Sequence, residues 1–236
     1  MSFKLITATA LVLLLFSCGN GSEKKNTEKP VSVSVLKDTA VKPSKEKKDT
    51  LEEPFKLTEE NALAFFFDYN KNNKEDKVRI TTKYGSFVID LYEETPYHRS
   101  NFIFLTKMGY FNGTLFHRVV NGFIIQGGSS DSPEVGKKRA EIGRYLLPPD
   151  AKKGFKHHRG TVSMPSSEIE NAFKMASPYE FFIVVTNPGS YHLDGKYTPF
   201  GRVIEGMDVV DKINAQKTDS AEWPYENIEM TVEIIN

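Results

Sequence analysis

Short, strand-like runs of apolar residues dominate the chain from about residue 77 to its C-terminus. The clearest run spans 228–235, where apolar side chains occupy every second position and so fall on one face of a strand. Similar runs, bounded by glycine or polar residues, predict further strands, with a hairpin turn at Gly85. They cover residues 77–84, 86–92, 115–120, 123–126, 160–164, 180–186 and 199–204. So many short strands indicate a mainly β fold, either a closed antiparallel barrel or a sandwich.

Two stretches inside this region carry helix signals instead. Thr95 followed by Pro96 is typical of an N-cap and a first-turn proline, and Gly109 is a suitable C-terminal stop. The sequence therefore predicts one helix that begins at Pro96 and ends near Gly109. A second helix is predicted over 206–213, where apolar residues recur at helical spacing.

A separate amphipathic helix is predicted before the β-rich region, over residues 58–70. Its apolar residues recur at i, i+3, i+4 and i+7, which places them on one helical face. They are Ala62, Phe65, Phe66 and Tyr69. Thr58 is the expected N-cap, and Glu59 and Glu60 suit the positive end of the helix dipole. We expect the apolar face to pack on the following domain, because the mostly acidic polar face would not favour an anionic membrane.

The N-terminus has the pattern of an export signal. A positive charge at Lys4 precedes twelve mostly apolar residues, Leu5 to Phe16, a length that fits a secretory signal and is too short to span a bilayer. The four residues 15–18, Leu-Phe-Ser-Cys, resemble a bacterial lipobox, in which the signal is cut immediately before the cysteine and the cysteine carries a lipid. We therefore expect a lipoprotein signal peptide over 1–17 and a lipid on Cys18. The alternative is an ordinary signal peptide with an unmodified cysteine.

Residues 18–55 are rich in Lys, Glu, Ser, Thr and Pro and poor in large apolar groups. Such a segment buries too little surface to offset its ordering entropy, so we expect a disordered tether. With a lipid on Cys18, this predicts a protein anchored on the periplasmic side of a bacterial cell envelope. The residues after Cys18 give no clear inner-membrane retention signal, which favours the outer membrane over the inner one.

The charge balance and the single cysteine exclude several functions. The chain has 31 Lys and Arg against 31 Asp and Glu, and zero net charge argues against a general nucleic-acid binder. One cysteine permits no intramolecular disulfide and no cysteine-rich metal site.

The pair His157-His158 is interpreted as a solvated loop rather than a metal site, because neighbours on a chain point in different directions. A Ser-His-Asp triad stays open, since triads are recognised by geometry.

The segment 116–128, Phe-His-Arg-Val-Val-Asn-Gly-Phe-Ile-Ile-Gln-Gly-Gly, carries the most informative polar residues. One interpretation is a plain barrel hairpin with its turn at Asn121-Gly122. Arg118, however, lies inside an apolar strand, where a guanidinium must be solvated, paired or offered to a ligand. Gln126 adds a second polar group at the end of the next strand.

This segment resembles the signature of the cyclophilin-type peptidyl-prolyl isomerases. The stretch 80–119, the block at 180–185 and the block at 192–213 resemble other parts of that family in the same order. The resemblance covers about 77–236. It implies a closed eight-stranded antiparallel barrel capped by two α-helices. Residues 56–76, which contain the amphipathic helix, are expected to form a short helical extension in front of this domain.

The resemblance also implies a proline-binding groove. Arg118 would be catalytic, and Gln126 would hold the substrate backbone or orient Arg118. Other residues would surround the proline ring. They are Phe123, Ile124, Phe182 and Leu193. Three further substrate-binding positions depart from the usual residues of the family: Glu180 replaces a glutamine, His192 a tryptophan and Tyr197 a histidine.

The implied function is acceleration of cis–trans isomerisation at X–Pro bonds of exported proteins as they fold. This reaction needs a pocket that binds the twisted bond better than either planar form. We therefore expect no metal and no cofactor. The expected partners are unfolded or folding proline-containing polypeptides, and the protein is expected to be a monomer. The alternative is a non-catalytic lipoprotein that binds proline-containing segments, which the departures at Glu180 and His192 motivate. The stretch 129–159 does not resemble the family.

Overall fold

The computed structural model describes residues 55–149, 154–166 and 173–235. The predicted signal peptide, Cys18 and nearly all of the predicted tether lie outside these ranges. The described residues form four α-helices and eleven strands. The helices are α1 (Ala62–Asn72), α2 (Pro96–Lys107), α3 (Pro133–Ile142) and α4 (Met207–Asn214). The strands are β1 (Leu57–Thr58), β2 (Lys77–Thr82), β3 (Gly85–Leu91), β4 (Thr114–Leu115), β5 (Arg118–Val120), β6 (Ile124–Gly127), β7 (Gly143–Arg144), β8 (Thr161–Ser163), β9 (Phe181–Val184), β10 (Pro199–Glu205) and β11 (Glu229–Ile235).

Nine of these strands form one antiparallel sheet that curls strongly into a half-barrel. Its order is β4-β11-β2-β3-β10-β8-β9-β6-β5, so β4 and β5 are its two ends. Both ends come from one stretch of chain, in which β4 pairs with β11 and β5 with β6. The predicted closed eight-stranded barrel is therefore corrected. The single strand expected at 115–120 divides at Phe116, whose backbone N–H bonds to the carbonyl of Ile228 at 2.9 Å.

The described ranges contain four helices, one more than the sequence predicted. α2 and α4 lie where they were expected, and α3 is an addition within the stretch 129–159. Ser132 begins α3 by accepting the backbone N–H of Glu134, and Pro133 occupies the first turn. α3 leads into β7, which pairs with β1 in a separate two-stranded parallel sheet. No helix in the described ranges is long and apolar enough to cross a membrane.

The predicted N-terminal helix is present, with a different start. α1 begins at Ala62 rather than at Thr58, because Thr58 is extended in β1 and pairs with Arg144. Its predicted apolar face is the buried one. Phe66 is fully buried, and its ring centroid lies 5.9 Å from that of Phe104 on α2. The extension is therefore packed on the β-rich domain through aromatic contacts.

Alternation along β5, β6, β9 and β8 separates the hydrophobic core from the opposite face of the sheet. One row of paired residues belongs to the core and is fully buried. It consists of Val119, Ile125, Ile183 and Val162. Because successive side chains of a strand point to opposite faces, residues 118, 126, 182 and 163 face away from this core. The candidate site stands on that outer face.

Candidate active site

Adjacent strands bring the predicted site residues into one cross-strand row. The register pairs Arg118 on β5 with Gln126 on β6. It pairs Gln126 in turn with Phe182 on β9, and Phe182 with Ser163 on β8. Directly paired side chains share a face of the sheet and have Cβ atoms about 4.5–5.5 Å apart. Strand order therefore makes neighbours of residues that are distant in the sequence.

A cavity of about 210 Å³ opens on this face. Its lining contains seven of the nine predicted catalytic and substrate-binding residues, together with Pro165. The lining residues are Arg118, Phe123, Ile124, Gln126, Pro165, Phe182, Leu193 and Tyr197. Ile124, Phe182 and Leu193 belong to a small apolar cluster that is separate from the main core. The cavity is thus an apolar slot with one guanidinium and one amide among its walls.

One wall of the slot comes from the segment that follows β9. A single 3-10 turn at Tyr191–Leu193 places Leu193, which is nearly buried, against the cavity. Tyr197 meets the ring of Phe182 edge-on, with centroids 5.5 Å apart. His192 is exposed and stacks on the ring of Phe123 at 5.5 Å, so it supports a wall residue and does not line the cavity.

Two polar side chains hold Arg118 at the edge of the slot. Its Nε donates to Glu222 Oε2 at 2.6 Å, and its Nη1 makes a longer contact of 3.4 Å with Gln126 Oε1. The Arg118 side chain is 42% exposed, so the guanidinium is both paired and partly hydrated. Sequence reasoning missed Glu222, because a carboxylate 104 residues away gives no local signal of this contact.

Glu180 fixes the orientation of the Gln126 amide. Gln126 Nε2 donates to Glu180 Oε2 at 2.8 Å, and His117 Nε2 lies 3.6 Å from the same oxygen. Burial by itself raises the pKa of Glu180, but the hydrogen bonds of His117 and Gln126 and the charge of Arg139 outweigh burial and lower it. A carboxylate only accepts, so the amide nitrogen must face Glu180 and the amide oxygen faces Arg118.

A chain of buried hydrogen bonds lies beside Phe182. His157 Nδ1 is 2.9 Å from Asp194 Oδ1, and its Nε2 is 3.0 Å from Ser163 Oγ. Because the carboxylate only accepts, Nδ1 carries the proton and Nε2 accepts from the serine hydroxyl. The predicted solvated loop is therefore wrong for His157, which is 0% exposed, and holds only for its exposed neighbour His158.

This Ser-His-Asp arrangement supports the slot and is not placed for nucleophilic attack. Ser163 is 0% exposed and is not among the residues that line the cavity. The imidazole of His157 stacks nearly parallel to the ring of Phe182 at 6.2 Å, while Asp194 directly follows the wall residue Leu193. Burial lowers the pKa of His157 although its hydrogen bond to Asp194 opposes the change. A neutral imidazole thus ties two walls of the slot together.

The two glycines after Gln126 are closely packed. A Cβ on Gly127 would lie 2.6 Å from Met230 Cε, and a Cβ on Gly128 would lie 2.3 Å from the carbonyl oxygen of Tyr179. Gly128 also has a φ of +102°, which L side chains rarely adopt. The backbone clash and the φ therefore require glycine at 128, whereas the flexible end of the Met230 side chain could shift to admit a Cβ at 127.

Within the described residues, the guanidinium of Arg118 and the amide of Gln126 meet the apolar side chains of the candidate site in this slot. A larger cavity, of about 610 Å³, lies beside α3 and β7 and contains none of the predicted site residues. Within the described ranges, no group of three or more His, Cys, Asp or Glu is arranged to hold a metal ion. The slot can accept an apolar ring, and Arg118 can donate hydrogen bonds to a polar group attached to that ring.

Comparisons with known proteins agree with this geometry. The family model for cyclophilin type peptidyl-prolyl cis-trans isomerases matches residues 77–233. Peptidyl-prolyl cis-trans isomerase A of Dickeya dadantii is 36% identical over 159 residues, which cover 64% of this chain and 77% of that protein. Peptidyl-prolyl cis-trans isomerase B of Escherichia coli is 33% identical over 148 residues, which cover 60% and 85%. A longer relative, peptidyl-prolyl cis-trans isomerase-like 2 of Rhizopus delemar, is 36% identical, and the match spans 30% of its length.

Solved structures give the same result for the fold. The crystal structure of a Cryptosporidium parvum cyclophilin type peptidyl-prolyl cis-trans isomerase matches with a TM-score of 0.58 and 27% identity, over 69% of this chain and 98% of that one. A structure of the same protein in the presence of the dipeptide Ala-Pro matches with a TM-score of 0.57. The sequence resemblance is confirmed, and the chain belongs to the cyclophilin-type family of peptidyl-prolyl cis-trans isomerases.

Proposed function

We propose that Arg118 is the catalytic residue of this isomerase and that the slot beside it holds the proline ring of an X–Pro bond. The observation that carries the proposal is the position of the guanidinium at the edge of an apolar slot, in one row with Gln126 and Phe182. A proline ring is apolar, so aromatic and aliphatic walls suit it. The structure of a relative in the presence of Ala-Pro supports proline-containing peptides as substrates.

The chemistry of amide rotation explains how one arginine beside an apolar slot could catalyse isomerisation without a nucleophile. Conjugation of the nitrogen lone pair with the carbonyl gives the bond a barrier of about 18–20 kcal/mol. In the twisted state the lone pair is localised on a pyramidal nitrogen, which becomes a hydrogen-bond acceptor. Arg118 donates from its Nη groups to this nitrogen or to the preceding carbonyl, since Glu222 occupies Nε. Such a contact strengthens as the bond twists and therefore lowers the barrier.

The remaining predicted residues have distinct parts in this proposal. Phe123, Ile124, Phe182, Leu193 and Tyr197 surround the proline ring. Gln126 orients Arg118, because its amide nitrogen is committed to Glu180 and its oxygen faces the guanidinium. Glu180 and His192 act through Gln126 and Phe123. Both are therefore assigned supporting positions and not direct contact with the ring.

An isomerase assay separates catalysis from simple binding. A protease-coupled assay and an NMR exchange measurement on a short X–Pro peptide report the rate, and a titration with the same peptide reports binding. Wild-type protein should accelerate exchange, and Gln126→Ala should reduce that acceleration while the peptide still binds. Binding of the peptide without acceleration by the wild type would instead support a non-catalytic proline-binding protein.

We propose further that this isomerase acts on exported proteins, from a lipid anchor on the periplasmic side of a bacterial envelope, with the outer membrane favoured. The support is the signal-like pattern of residues 1–17, the lipobox-like step at Cys18 and the polar tether. Mass analysis of membrane-extracted protein should show loss of the first 17 residues and a lipid adduct. A Cys18→Ser variant that is processed and retained on membranes to the same extent would contradict this assignment.

A further inference from the structure

The loop 217–226, between α4 and β11, folds tightly on itself and on the edge strand β5. Asp219 Oδ1 accepts two backbone N–H groups of the loop, at 2.8 and 2.9 Å. The backbone carbonyl of Glu222 accepts the N–H of Val119 at 2.8 Å. The loop therefore fixes Glu222 relative to the strand that carries Arg118.

Glu222 has an unusual backbone conformation for its side chain. Its φ is +66°, in the left-handed region that glycine adopts freely and that other residues enter only at an energetic cost. A residue with a side chain is retained in this region only where its surroundings determine the conformation. The side chain of Glu222 is thus the feature to explain, because a glycine would satisfy the backbone better.

The contact with Arg118 does not account for Glu222 through stability. The two side chains are 42% and 40% exposed, and ion pairs as exposed as this one contribute little to folding. The contact is nonetheless short, at 2.6 Å from Arg118 Nε. The other restraint on the guanidinium, from Gln126, is a contact of 3.4 Å. Glu222 is therefore the stronger of the two restraints on the orientation of Arg118 among the described residues.

We propose that Glu222 is a positioning residue that holds the guanidinium of Arg118 in the orientation needed to meet a twisted X–Pro bond. The inference rests on the proposed catalytic role of Arg118. Binding Nε fixes the guanidinium plane and leaves the Nη donors for the substrate. A free arginine side chain samples many rotamers, and ordering it before the substrate arrives removes part of that entropic cost from the transition state.

Glu222→Gly is the sharpest test variant, because it removes the carboxylate and suits the backbone. The relief of the left-handed φ offsets the lost ion pair, so the midpoint of urea unfolding should stay close to that of the wild type. The value of kcat/KM for an X–Pro peptide should fall about fivefold to tenfold, with the loss in kcat rather than KM. Glu222→Gln keeps an acceptor without the charge and should fall between wild type and glycine.

Glu226→Gln is the matched control in the same loop. Glu226 is paired with Lys83 at 2.7 Å, on an exposed surface, and is not part of the slot. Its loss should leave kcat/KM unchanged. Trp223, the single tryptophan of the chain, lies with its ring 5.8 Å from that of His117. Its fluorescence reports whether any variant has disturbed the loop as a whole.

A double-mutant cycle shows whether Glu222 acts through Arg118. Glu222→Gly should lower kcat/KM in the wild-type background and have no further effect in the Arg118→Ala background. The Nε–H resonance of Arg118, assigned from its absence in Arg118→Lys, should shift in Glu222→Gly and not in Glu226→Gln.

The outcomes separate this inference from the function on which it rests. A wild-type rate in Glu222→Gly, or an equal loss in both backgrounds, would overturn the positioning role and leave Arg118 as proposed. A wild-type rate in Arg118→Ala would overturn the catalytic assignment itself, and the positioning role with it.

Discussion

Replacement of His157 by alanine should destabilise the protein strongly, although the residue stands beside an exposed histidine. The imidazole is 0% exposed and bonds to both Asp194 and Ser163. Its loss leaves the buried Ser163 hydroxyl unpaired, which costs about 1–3 kcal/mol, and opens a cavity beside Phe182. We expect a total loss of about 3 kcal/mol, or a fall in Tm of roughly 6–12 °C for a domain of this size.

Urea and thermal unfolding measure this loss, and His158→Ala is the matched control. His158 is exposed, and its imidazole contacts the Tyr191 hydroxyl at 2.9 Å, so its replacement should change stability by less than about 0.5 kcal/mol. Equal unfolding midpoints for the His157→Ala and His158→Ala variants would refute the reasoning. That result would mean that the buried hydrogen-bonded chain does not stabilise the fold.

The buried position of His157 also predicts that the stability of the protein depends on pH. Burial lowers the pKa of His157 in the folded protein, so below the ordinary value of about 6.5 the unfolded chain binds the extra proton first. Stability should therefore be fully present above about pH 6.5 and should fall as the pH drops below it. His157→Ala should lack this part of the slope. A wild-type stability that is constant from about pH 7 to pH 5 would contradict the assignment.

Two further predictions concern the slot and the end of β6. Phe182→Ala should weaken binding of an X–Pro peptide and lower stability by about 3–5 kcal/mol, because the ring is 4% exposed. Peptide titration measures the first effect and urea unfolding the second. An unchanged peptide affinity would contradict the place of Phe182 in the slot. Gly128→Ala should destabilise by more than about 2 kcal/mol, because its Cβ would meet the Tyr179 carbonyl oxygen at 2.3 Å. Gly122 also has a positive φ, but a Cβ there would meet open space. Gly122→Ala should therefore lower the free energy of unfolding by only about 1 kcal/mol.

Local patterns in the sequence predict the strands and most of the slot, because these depend on alternation and on a compact motif. β11 follows directly from its alternating residues, and the segment from Arg118 to Gln126 forms the hairpin of β5 and β6. The split of 115–120 into β4 and β5 is not visible locally, since it depends on pairing with β11. α3 did carry a local signal, because Ser132-Pro133 is a recognisable helix start.

The supporting residues of the site could not be predicted in the same way. Glu222 reaches Arg118 from a loop near the C-terminus. His157, which precedes β8 in the chain, meets Asp194, which follows β9. Both contacts depend on tertiary packing, and neither residue type is distinctive in a polar stretch of sequence. The sequence interpretation of His157 as solvated was wrong because its burial is set by Phe182 and the wall segment, which are distant along the chain.

The most direct test of the central claim is the isomerisation rate of Arg118→Ala, measured by NMR exchange on a short X–Pro peptide beside the wild type. We expect kcat/KM to fall at least about tenfold, which corresponds to about 1.4 kcal/mol of transition-state stabilisation, while Tm stays within a few degrees of wild type. Arg118→Lys should recover little of the rate, because one ammonium does not reproduce the planar set of guanidinium donors. A folded Arg118→Ala protein that isomerises the peptide at the wild-type rate would contradict the account.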